Sequence, residues 1–164
     1  MKKLILILLF LIAGKTFAET NIYKFSGAYV TAGNEVYSKT LTADEVLNLQ
    51  DSTRLPLPEF YFSNHGEYGV TNWSAFPSSS RQVGSEFKLE VSRQIDDVLY
   101  LSKWDFRYSC FLGMDRITDK PMFAASGENL TGGEQCLSIG KNRIISTSRD
   151  SNNIVWIVIR IDEI

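Results

Sequence analysis

The sequence predicts a mainly β fold, an antiparallel β-sandwich or partly open barrel with one short helix. Three observations lead there. Apolar and polar residues alternate with a period of two along most of the chain. A segment near the C-terminus is apolar on both faces, as a central strand requires. A single helix-start signal interrupts the pattern. With 44% of 164 residues hydrophobic, the chain has ample material for one core, which excludes a disordered tail or a coiled coil.

The clearest alternation spans residues 86–92, with Phe87, Leu89 and Val91 on one side and Glu86, Lys88, Glu90 and Ser92 on the other. The acids Asp96 and Asp97 supply turn chemistry. A second strand then runs from Val98 to about residue 112, its expected core face being Val98, Tyr100, Trp104, Phe106, Tyr108 and Cys110. Residues 135–139 and 143–147 flank Gly140-Lys141-Asn142 and predict another hairpin. Asn152-Asn153 leads into 154–161, where Ile154, Trp156 and Val158 alternate with Val155, Ile157, Ile159 and Ile161. Residues 22–31, 35–40, 58–63 and 120–125 are further strand candidates. Thr42-Ala43-Asp44-Glu45 is a capping box opening a helix over about 42–50, closed before Pro56. Residues 72–84, with Pro77 and three consecutive serines, predict a long loop.

The first eighteen residues read as an address. Lys2 and Lys3 precede ten unbroken apolar residues from Leu4 to Ala13, and Thr16 and Ala18 place small residues before a cleavage point at Glu19. The apolar run is too short for a membrane span, and Lys15 interrupts it. Residues 1–18 are thus expected to be a signal peptide and 19–164 a single exported β domain. Its expected location is periplasmic or secreted in a bacterium. It is not expected to be a lipoprotein, because no cysteine stands near the cleavage point. No integral membrane span is expected. Cleavage removes three lysines and leaves 14 Lys+Arg against 19 Asp+Glu, a balance that argues against nucleic acid or anionic lipid as partner. In an oxidising compartment, Cys110 and Cys136 are expected to form a disulfide.

Catalytic constellations are hard to assemble. The chain has one histidine, His65, and none of the usual zinc-ligand spacings, so neither a metal site nor a cofactor is expected. No Gly-x-Ser-x-Gly elbow accompanies a possible triad. Asp96 and Asp97 read as solvent-facing turn residues, while Glu90 and Asp105 point outward from paired strands. The glycines 132 and 133 read as a turn rather than a phosphate cradle, because no Lys-Ser/Thr follows them. The remaining candidates are aromatic. Tyr61, Tyr68, Trp73 and Phe76, together with His65, could form a binding surface, although burial in the core is the commoner fate of such side chains.

Between residues 41 and 112 the chain resembles the β-domain of secretins, the ring-forming outer-membrane channel family. The likeness is carried by Leu41-Thr42-Ala43-Asp44-Glu45-Val46, Leu55-Pro56-Leu57-Pro58 and Val83-Gly84-Ser85-Glu86-Phe87-Lys88-Leu89-Glu90-Val91, followed by a return strand at Val98. Ser138-Ile139-Gly140-Lys141 stands where that family has a glycine-containing hairpin. The proline that follows the Val-Gly strand in the family is missing here, and the resemblance implies a detached domain of that kind rather than a channel. It implies an envelope component that pairs strands with a partner. The function expected is a non-enzymatic binding or assembly module of the bacterial cell envelope. Its partner would be an envelope or secreted protein, with a glycan as the alternative. An inhibitor of a hydrolase, through residues 64–84 or the segment between the cysteines, is the second reading. A small hydrolase using His65 and an acid is the third, and a fimbrial subunit the fourth.

Overall fold

The computed structural model describes residues 21–34, 40–75, 82–109, 111–118, 120–123, 128–149 and 152–164. In chain order these form β1 (Ile22–Gly33), α1 (Ala43–Leu47), β2 (Ser52–Pro56), β3 (Phe60–Ser63), β4 (Gly66–Ala75), β5 (Gln82–Ile95), β6 (Val98–Ser109), β7 (Phe111–Met114), β8 (Pro121–Phe123), β9 (Glu128–Gly132), β10 (Gln135–Ser138), β11 (Arg143–Arg149) and β12 (Asn153–Glu163). The expected signal peptide lies outside the described residues, as do Phe76, Cys110 and all but the last of the strand candidate at 35–40.

Two five-stranded antiparallel sheets make a sandwich rather than a closed barrel. The first runs β11-β12-β1-β2, with β3 continuing the edge that β2 begins: β2 pairs with residues 28–32 of β1, and β3 with residues 22–25. The second runs β10-β6-β5-β4 and repeats the device, since β10 and β9 lie end to end along β6. A short β7–β8 hairpin stands apart. Between the sheets, Tyr23, Phe25, Tyr29, Ile157, Ile159 and Ile161 meet Phe87, Leu89, Leu99, Leu101, Trp104 and Phe106. Phe25 and Phe87 stack with centroids 4.4 Å apart at the centre, and each such buried side chain contributes about 1.5–3 kcal/mol through its removal from water.

The two-sided apolar pattern of β12 has the predicted cause. Its odd-numbered residues enter the inter-sheet core, while Ile154, Trp156 and Val158 lie beneath α1, against Val30, Ala32, Ala43 and Val46. The helix is shorter than expected, but its capping box is complete: the Thr42 amide donates to Glu45 Oε2 at 2.7 Å, and the Glu45 amide donates to Thr42 Oγ1 at 3.3 Å.

Four expectations need correction. The core face of β6 switches parity along its length. Leu99 and Leu101 are buried rather than Val98 and Tyr100, whereas Trp104 and Phe106 face inward as expected. Irregular pairing near Ser92 and Ser102 produces the switch, because each extra residue turns the following side chains to the other face. Second, β10 and β11 do not pair. Residues 139–142 carry the chain from one sheet to the other, and the Gly140 amide donates to Ile161 O across the gap at 2.7 Å. Third, residues 72–75 are not loop but the end of β4, paired with 82–85.

Fourth, no disulfide is found among the described residues, and the thiol of Cys136 is free and exposed. Cys136 is paired with Tyr100 at one end of β6. Ser109, at the other end, is about 30 Å away at some 3.3 Å per residue. A bridge needs Cα atoms within about 7 Å, and Cys110 itself lies outside the described residues.

Candidate functional site

The aromatic residues singled out from the sequence do not form one surface. Tyr61 is 65% exposed on β3, opposite Lys24 in the first sheet. Tyr68 turns inward, packs against Phe62 with centroids 5.6 Å apart, and donates from its hydroxyl to His65 O. His65 is exposed in the β3–β4 turn, and its Nδ1 lies 3.1 Å from Oδ1 of the adjacent Asn64. Trp73 is half-buried near the far end of β4, in the second sheet. Of the acids considered, Asp96 and Asp97 are exposed at the β5–β6 turn, and Gly132 closes β9 opposite Trp104 rather than forming a turn.

A denser grouping lies on the outer face of the second sheet, and it comes directly from strand register. Antiparallel pairing aligns Glu67, Glu90 and Lys103 in one row across β4, β5 and β6. Gly69, Lys88 and Asp105 form the next, and Thr71, Glu86 and Arg107 the third. Directly opposed residues on one face sit close enough for their side chains to interact. Thr71 Oγ1 donates to Glu86 Oε1 at 2.8 Å, and Lys88 Nζ reaches the same oxygen at 2.8 Å. Arg107 bridges two carboxylates, with Nη2 3.1 Å from Asp105 Oδ2 and Nε 3.7 Å from Glu86 Oε2. Thr71, Lys88, Asp105 and Arg107, with Glu67, Glu90 and Lys103, line a shallow trough of about 440 Å³, and Glu86 lies beside it.

Electrostatically the group is unusual for a sheet surface. Glu86 points away from the core, yet it is the only charged residue among the described ones to be buried. The hydrogen bond from Lys88, then that from Thr71, with the charges of Lys88 and Arg107, hold its carboxyl below the usual carboxylate range against the opposing effect of burial. Asp105 Oδ1 is buried and has no hydrogen-bond partner. Two glycines shape the surroundings. A Cβ at Gly69 would meet Phe87 O at 2.6 Å and Lys88 Cγ at 2.7 Å, so only glycine lets the lysine stem lie there. Gly84 adopts a φ of +141°, and a Cβ would fall 1.8 Å from Asn72 O. Sequence reading recognised the outward charges on β5 and Asp105 on the paired strand but missed the cluster. The signal was present in the matching outward charges Lys103, Asp105 and Arg107 on the partner strand.

A second feature is an open edge. β4 forms one border of the second sheet, and no strand among the described residues pairs with its far side. It is ten residues long, contains neither lysine nor proline, and carries one charge, Glu67. Sheet borders are ordinarily blunted by such residues, so an unprotected one is a template for strand addition. The β7–β8 hairpin offers a third feature. Asp115 Oδ1 accepts from the Ile117 and Thr118 amides at 2.7 and 2.9 Å, fixing a tight turn that leaves Ile117 95% exposed. Among the described residues no group of three or more His, Cys, Asp or Glu could hold a metal. No described helix is long and apolar enough to cross a membrane.

The fold is of the kind seen in secretin β-domains. One similar solved structure is the InvG secretin-domain β-barrel from the Salmonella SPI-1 injectisome NC-base, with a TM-score of 0.53 over 98% of this chain and 67% of that one. At 7% identity the likeness is one of fold. No family model matches the chain, and no curated protein matches it.

Proposed function

We propose that this chain is a binding or assembly module of the bacterial cell envelope, exported to the periplasm and working by strand pairing rather than catalysis. The observation that carries this reading is a secretin-like β fold whose second sheet ends in the long, unprotected edge of β4. The leader-like residues 1–18 support export. The partner is an envelope or secreted protein that contributes an extended strand.

Two measurements test it together. Expressed with its own N-terminus, the protein should be recovered from the periplasm with a mass beginning at Glu19. Used as bait in envelope extracts, it should retain one stoichiometric protein, and this retention should disappear in an Asn72→Lys/Ser74→Lys variant that places charge on the β4 edge. A partner held equally well by that variant, or none at all, rejects the reading.

Inhibition of a hydrolase is a second reading, favoured by the braced turn that presents Ile117. It requires the retained protein to be a hydrolase slowed by the wild-type chain and not by Ile117→Asp.

A further inference from the structure

The strand that joins the open edge of β4 has to match the side chains already there. Its outer face carries Glu67, Gly69, Thr71 and Trp73, paired with Glu90, Lys88, Glu86 and Gly84 of β5. Trp73 is half-buried, and because its partner is a glycine, no side chain covers its ring from β5. Gly69 has no side chain of its own. The stem of Lys88 lies beside it, since a Cβ there would meet Lys88 Cγ at 2.7 Å, and that lysine side chain is 57% exposed. One strand thus presents a bulky ring and a gap floored by hydrocarbon, set symmetrically on either side of Thr71.

A second β4 laid antiparallel along the first brings ring and gap together. In the register that sets Thr71 opposite the second copy's Thr71, each Trp73 falls opposite the other copy's Gly69. The contact is then made twice, as a two-fold axis requires. Paired threonines and an aromatic residue opposite a glycine are favourable cross-strand neighbours. On the inner face Val70 meets Asn72 and Tyr68 meets Ser74, with no charge among them. Glu67 is the one charge on the strand. It meets Ala75, and the two Glu67 side chains stand about 27 Å apart, eight residues at some 3.4 Å each. A parallel alignment in the same register sets Glu67 against Glu67, which is unfavourable.

We infer that the strand paired with β4 is β4 of a second copy of this chain, antiparallel about a two-fold axis at Thr71. The inference rests on the strand-pairing reading and names its partner. Trp73 and Gly69 select that partner and its register, and the second sheets of the two copies become one continuous sheet.

Sedimentation of the purified protein tests this, with reductant present so that the exposed thiol of Cys136 links no chains. Monomer and dimer should exchange with Kd below about 100 μM. Trp73→Ala should weaken the dimer by about tenfold or more, while Tyr61→Ala on the other sheet leaves it unchanged. In a Cys110→Ser/Cys136→Ser background, oxidation should link Thr71→Cys chains to one another and leave Glu67→Cys chains unlinked. Should Thr71→Cys lose its native dichroism, the Trp73→Ala comparison decides. A particle larger than a dimer overturns the inference, as does a dimer that Trp73→Ala leaves intact or linking at 67 as ready as at 71. A monomer up to about 500 μM overturns it too. If that monomer still retains an envelope protein through β4, this inference alone fails; if it retains nothing, the strand-pairing reading fails with it.

Discussion

The two sheets share a core and differ in how they treat their outer faces. The first lays α1 over Val30, Ala32, Ile154, Trp156 and Val158, so that β12 is apolar on both sides. The second has no such cover among the described residues and sets outward carboxylates beside cations, Glu86 with Lys88 and Asp105 with Arg107. One face is held by removal of hydrocarbon from water, which is strong and indifferent to pH. The other is held by hydrogen bonds to carboxylates, which is weaker and depends on their ionisation. The comparison shows that burial of a side chain and burial in the core are separate matters, since Glu86 is buried on a surface.

The sharpest way to break this contrast is Trp156→Ala. Loss of the indole beneath α1 should cost about 3–5 kcal/mol in urea unfolding, with no dependence on pH between 4 and 8. Glu86→Gln should cost less, about 1.5–3 kcal/mol at neutral pH, because it removes hydrogen bonds made to a charged acceptor. Its signature lies in acid. The folded state holds the Glu86 carboxyl below its ordinary 4.5, so its contribution is complete above that pH and is lost as pH falls through the folded-state value. Wild type should therefore lose stability below about pH 4.5, and the Gln variant should lose less over the same interval. Thr42→Ala, which removes the cap of α1, should cost about 1 kcal/mol by the same unfolding assay. The smallest effect is expected from Arg160→Gln. Its partner Asp162 lies 2.9 Å away on the uncovered end of the first sheet, with both side chains substantially exposed, and a change under about 0.5 kcal/mol would mark it as an ordinary surface pair.

What could be read from the sequence follows the same division. β5 was legible because Phe87, Leu89 and Val91 alternate with polar residues without exception. β12 was legible because its apolar run has no polar break before Arg160. β6 was half legible: its alternation reads correctly beyond Ser102 and wrongly before it, since a shift in pairing leaves no mark in composition. β4 was hidden in its second half by Thr71, Asn72 and Ser74, which resemble loop residues until their partners on β5 are known. The crossover at Gly140 looked like a hairpin because the local turn chemistry is the same whether the next strand returns to its neighbour or joins the other sheet. The trough was the least legible feature, since it exists only once three strands are in register. Sequence periodicity reports which face a residue takes, not who stands beside it.

The place of β12 has a consequence for how the molecule is made. It lies between β1 and β11, so the first sheet has no middle until residues 153–163 arrive, although β1 was among the first segments synthesised. At a ribosomal pace of roughly 5–20 residues per second, β1, already flanked by β2 and β3, waits several seconds for β12. During that wait a chain emerging N-terminus first can assemble the β4–β5–β6 meander but cannot close the sandwich. The first sheet stays slack until β12 is released and tightens only then.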